Sequence, residues 1–132
     1  MTRLFFSLVA AVLLASTALA DDIRTERVQF HKGANSATVH GTIKGYETVD
    51  YLLGARKGQS MNVSLSTDHG ANYFNIIAPG KADEAMFVGS TSGNQFEDTL
   101  PANGDYKVRV YLMRSAARRD EVAKYRLEMI ID

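Results

Sequence analysis

The residues best suited to chemistry in this chain lie in the run Arg114-Ser115-Ala116-Ala117-Arg118-Arg119, followed at once by Asp120 and Glu121. Guanidinium groups on a short, small-residue segment make paired, charge-assisted hydrogen bonds to carboxylates. The same groups also suit a solvated surface loop neutralised by the two acids behind it. A second segment, Thr67-Asp68-His69-Gly70-Ala71-Asn72-Tyr73-Phe74, has the composition of a shaped recognition loop, with Gly70 expected to allow a tight bend. An ordinary strand connection has that composition too.

Catalytic chemistry has little to stand on. His31, His40 and His69 show no paired ligand spacing with a carboxylate partner, so no metal and no cofactor is expected. The chain has no cysteine, which removes a thiol nucleophile, thiolate metal ligation and disulfide staples. It contains no Gly-x-Ser-x-Gly elbow and no glycine-rich phosphate loop before a helix. The carboxylates are scattered and show no acid and base pair. These absences point to a binding protein and not to an enzyme.

The first 20 residues have the form of a secretory leader. Thr2 and Arg3 precede an apolar run from Leu4 to about Leu14, and Ala18-Leu19-Ala20 fits the small-x-small cleavage rule. The apolar stretch is short for a membrane span. Residues 21–132 are then expected to form one exported domain in a bacterial periplasm, with no membrane contact after cleavage. The whole chain balances 15 basic against 15 acidic residues, and loss of Arg3 leaves a net charge of −1. That balance gives no support for nucleic acid as a partner, so any electrostatic role must come from a local patch.

The elements that must position these groups read as strands. Val49, Tyr51, Leu53 and Ala55 alternate on one face, as do Met61, Val63 and Leu65. Joined across Lys57-Gly58-Gln59, the two are expected to pair as an antiparallel hairpin. Tyr106, Val108, Val110 and Leu112 alternate into the arginine segment, and Tyr125, Leu127, Met129 and Ile131 alternate out of it. Shorter strands are expected at Val28–Phe30, Ala37–Ile43, Tyr73–Ala78, Ala85–Val88 and Gln95–Leu100, with Gly41 a bulge or a point of close packing. Pro79-Gly80 and Pro101-Ala102-Asn103-Gly104 punctuate them as turns. The fold class is all-β: an antiparallel β-sandwich of about 7–9 short strands, with at most a short helical turn near residues 115–124.

Several residues in order carry a family resemblance: Val28-Gln29-Phe30, Lys32-Gly33, Gly41, Ile43-Lys44-Gly45-Tyr46, Ala55 with Lys57-Gly58-Gln59, Gly70-Ala71, Tyr73, Leu100-Pro101-Ala102, Arg109-Val110, and Arg114-x-x-Ala117-Arg118. With these the chain resembles the periplasmic inhibitors of g-type (goose-type) lysozyme. The stretches Ala55–Gln59 and Leu100–Tyr106 are also similar to the broader pre-peptidase C-terminal type of sandwich. The resemblance implies a sandwich that blocks a muramidase cleft, with a g-type lysozyme as partner. It implies Arg118 as the inserting residue, Tyr46 beside it and Arg114 at the rim, within a contact set that includes Ser115 and Arg119. Asp68, His69, Gly70 and Tyr73 would form a second contact element. The chain departs from the family pattern between Phe74 and Gly93, and in its doubled Arg118-Arg119. The alternative is a non-inhibitory module for cell-wall glycan or an envelope protein, with Tyr46, Tyr73, Phe74 and Tyr111 as an exposed aromatic platform. A lone sequence carries no reading of oligomeric state.

Overall fold

A computed structural model describes residues 23–132; the expected leader, residues 1–20, lies outside the described residues. Two sheets pack face to face. One has five strands in the order β1 (Ile23–Arg27), β3 (Thr48–Ala55), β8 (Gly104–Leu112), β5 (Asn72–Ile77) and β6 (Ala85–Val88). The other has four: β2 (Ser36–Lys44), β9 (Val122–Ile131), β4 (Ser60–Thr67) and β7 (Gln95–Thr99). Two short helices complete the described chain, α1 (Gly89–Ser92) and α2 (Arg114–Arg118).

The alternation read from the sequence is what closes the core. Val49, Tyr51 and Leu53 of the first sheet and Met61, Val63 and Leu65 of the second are all buried. Each such side chain removed from water contributes on the order of 1.5–3 kcal/mol. The centre also holds one polar contact: the Tyr51 and Tyr125 hydroxyls lie 2.7 Å apart. Burial, above all, pushes both phenols up from their ordinary range, so they stay protonated. Gly41 is a close-packing point and not a bulge. β2 and β9 pair without a break, and a Cβ at position 41 would sit 2.4 Å from the Tyr125 ring.

Three expectations need correction. The first strand is Ile23–Arg27, not Val28–Phe30, and it pairs parallel to β3 within an otherwise antiparallel fold. Its side chains are exposed throughout, so no apolar alternation marks it; the backbone ladder forms it, continued by the Val28 N–H to Leu52 O bond at 2.9 Å. β3 and β4 do not make a hairpin, because the turn at Arg56–Gln59 carries the chain from one sheet to the other. Alternation shows that each strand buries one face. It does not show whether two such strands lie side by side or stack across the core. The expected short helical turn is present at Arg114–Arg118, and β9 begins at Val122. Asp120 ends the turn in the left-handed region at φ 53°, the only non-glycine described residue with positive φ. Finally, α1 follows β6 where no helix was expected.

Candidate partner-binding site

Strand pairing gathers three connections at one end of the sandwich. Lys44 opposite Val122 places the β2–β3 turn beside the start of β9. Thr67 opposite Tyr125, and Asn72 opposite Leu112, bring the β4–β5 loop and the β8–β9 segment to the same end. Backbone bonds then join them: Gly45 N–H to Glu121 O at 3.0 Å, Met113 N–H to Ala71 O at 2.9 Å, and Asp68 N–H to Lys124 O at 3.1 Å. Gly45 needs its glycine twice over. Its φ is 61°, and a Cβ there would meet the Asp120 carboxylate at 2.8 Å.

α2 is seated by its small residues. Ala116 and Ala117 are buried, while Arg114, Ser115, Arg118 and Arg119 face solvent. Arg114 and Arg118 stand four residues apart, one above the other on a single helical face. Neither makes an ion pair with a described residue. Arg119, by contrast, folds back onto the Glu121 carboxylate. The side-chain bond from His69, and secondarily that from Arg119, hold the Glu121 carboxyl below its ordinary range.

Exposed apolar side chains lie at the same end as these cations. Tyr46, Met113 and Val122 are large apolar residues left in solvent here, and Ile23 and Met86 are the others among the described residues. An open groove of about 310 Å³ runs from Tyr46 and Arg114 over Asn75, Arg109 and Tyr111 on the outer face of the five-stranded sheet. Its floor is built rigidly. Arg109 grips the buried Asp50 with two bonds, at 2.7 and 3.0 Å, and reaches Asp83 at 3.2 Å. The Tyr111 hydroxyl donates to Asn75 Oδ1 at 3.0 Å.

The expected contact residues thus fall into two groups. Tyr46, Arg114, Ser115, Arg118 and Arg119 are exposed and come together. Asp68, His69 and Gly70 lie at the same end, but both imidazole nitrogens of His69 and one carboxylate oxygen of the exposed Asp68 are engaged internally. Asp68 Oδ1 accepts the Lys124 N–H at 2.9 Å, and His69 Nε2 lies 2.7 Å from Glu121 Oε1. Gly70 has no positive φ and open space where a Cβ would go, so the bend does not depend on it. The bend is made by the Asn72 N–H to His69 O bond at 3.2 Å and by Asn72 itself, fully buried between Thr67 and the Tyr111 carbonyl. Tyr73 sits half-buried opposite Tyr111, whereas Phe74 is in the core, which removes it from any exposed aromatic platform. Met113 and Val122 lie outside the expected contact set, while Glu121 is expected only as a neutralising acid and Asn72 only as part of the loop. Val122 had a legible signal, since it is apolar yet out of phase with Ala123, Tyr125 and Leu127. Among the described residues no cluster of three potential ligands could hold a metal.

A two-sheet scaffold that carries Arg114, Arg118, Tyr46, Met113 and Val122 exposed at one end has the form of a binding module. No protein-family model matches the chain. It is 34% identical over 122 residues to the inhibitor of g-type lysozyme of Escherichia coli (strain K12), covering 90% of this chain and 89% of that protein. The chain belongs to the family of g-type lysozyme inhibitors. The crystal structure of the periplasmic inhibitor of g-type lysozyme from Aeromonas hydrophila superposes with a TM-score of 0.78 at 40% identity, over 86% of this chain and all of that one. The Salmonella Typhimurium counterpart gives 0.66 at 33% identity, over 83% and 98%.

Proposed function

We propose that this chain is a periplasmic inhibitor of a goose-type lysozyme and that it acts by occluding the muramidase cleft with the α2 segment. The observation that carries this is the pair Arg114 and Arg118, unpaired within the described chain, on one face of a helical turn at the end of the sandwich where Tyr46, Met113 and Val122 are also exposed. A cleft that cuts glycan with carboxylates has the complementary charge. Arg118 enters the cleft and pairs with a catalytic acid; Arg114 and Tyr46 pack at the rim, with Ser115 and Arg119 alongside. Like charges one helical turn apart repel by about 0.2–0.5 kcal/mol, and an anionic partner relieves that repulsion. Excess Arg and Tyr around a desolvated centre are the usual anatomy of an interaction hot spot. The inhibitor performs no chemistry of its own: it excludes substrate.

The test is the clearing of a cell-wall suspension by goose-type, chicken-type and invertebrate-type lysozymes in the presence of purified residues 21–132. Selective loss of goose-type activity, relieved by Arg118→Ala, is the expected result. Inhibition by Arg118→Ala as strong as by the parent protein removes the arginine mechanism; undiminished activity of all three enzymes removes the function.

A further inference from the structure

We infer that His69 is a positioning residue, which sets the arginine segment through Glu121 instead of touching the lysozyme; this rests on the role proposed for that segment. The imidazole is largely buried, with 19% of the side chain exposed, and both nitrogens are engaged inside the molecule. Nδ1 accepts the Ala71 N–H at 3.0 Å. That assigns the proton of the neutral ring to Nε2, which donates to Glu121 Oε1 at 2.7 Å. The other Glu121 oxygen takes the Arg119 Nε–H. Through its backbone Glu121 also accepts from Gly45 at 3.0 Å and donates to Ala116 O at 3.3 Å.

Glu121 is therefore a junction where the β2–β3 turn, the β4–β5 loop and α2 meet, and His69 is the strut from the loop side. One consequence bears on recognition. With Arg119 drawn back onto Glu121, Arg114 and Arg118 are the guanidinium groups of this segment left free to face a partner. The charged groups around the imidazole are few: Glu121 and Arg119 across from it, and on its own loop Asp68, whose carboxylate caps the Lys124 N–H at 2.9 Å.

Three substitutions separate the two arms of the imidazole. Asparagine at position 69 retains a short acceptor for the Ala71 N–H, as in an Asx turn, and loses the reach to Glu121. Glutamine retains a donor at the reach of Nε2. Against goose-type lysozyme, His69→Asn is expected to weaken inhibition about tenfold, as the loss of one charge-assisted bond allows, and His69→Gln by no more than about twofold. In a Glu121→Ala background, His69→Asn should cause no further loss, because residues acting through one junction are not additive. Additive losses, or Asn and Gln behaving alike, would overturn the assignment and make His69 a direct contact. A second readout needs no enzyme: amide exchange at Asp120 and Glu121 should quicken in His69→Asn and not in His69→Gln. Unchanged exchange in His69→Asn also overturns the assignment. If the parent inhibits no lysozyme, the proposed function fails, and amide exchange still decides the strut.

Discussion

Arg109 and Arg118 carry the same group a short stretch of chain apart and have opposite fates. Arg109 is clamped on the outer sheet face by Asp50, which is only 3% exposed, and by Asp83. The side-chain bond to Asp50, foremost, raises its already high pKa. Arg118 projects from a helical turn on two buried alanines and makes no ion pair with any described residue. A half-buried, doubly bonded guanidinium belongs to the architecture, because removing its buried partner leaves the charge without its main ion pair in a poorly solvated place. An exposed and unpaired one on a packed seat is available to another molecule; its backbone is already ordered, and the side chain's own rotamer freedom is the cost left to be met on binding.

This contrast can be broken from either side. The largest effect is expected from Arg118→Ala, which should weaken lysozyme binding by about 2–4 kcal/mol and leave the urea unfolding midpoint unchanged. The reverse pattern is expected for Asp50→Ala: a loss of about 2–3 kcal/mol of folding stability from the orphaned Arg109, with near-parental inhibition by the fraction that remains folded. If Asp50→Ala is neutral in urea, the clamp is not structural; if it abolishes inhibition by fully folded protein, the groove it underlies is part of the contact. A finer probe is Arg118→Lys, which keeps the charge and loses the planar fork. It should cost about 1–2 kcal/mol of affinity by titration calorimetry if a carboxylate is held by two bonds. Equal affinity would reduce Arg118 to a point charge.

The smallest effect is on pH. The Glu121 carboxyl is held below its ordinary range by His69 and Arg119. A depressed carboxyl pKa stabilises the folded arrangement at every pH above the unfolded value, and that contribution disappears as pH falls through the folded value. The contribution of the Glu121 carboxylate should therefore persist down to about pH 4.5 and fade only below it. Amide exchange at Asp120 and Glu121 followed against pH measures this directly; loosening of a His69→Gln protein already between pH 7 and 5 would show that Glu121 is not the controlling group.

Much of this was legible in the one-dimensional pattern. Period-two alternation named the core faces of β3, β4, β8 and β9, because a strand buried on one side must place every second residue inside. The small-residue run with arginines at positions 114 and 118 marked the exposed cations, since two buried alanines suffice to seat one helical turn. Only the tertiary structure decided the rest. Whether β3 and β4 pair or stack depends on neighbours far along the chain. β1 is held by backbone bonds that any sequence can make, helped by one exposed ion pair from Arg27 to Asp105 of β8 at 2.6 Å. Whether a polar side chain is free or engaged depends on what another segment places beside it. His69 and Arg118 look alike in sequence as candidate contacts. Glu121, brought to the imidazole by the pairing of β4 with β9, turns one inward, and the absence of any such partner among the described residues leaves the other facing out.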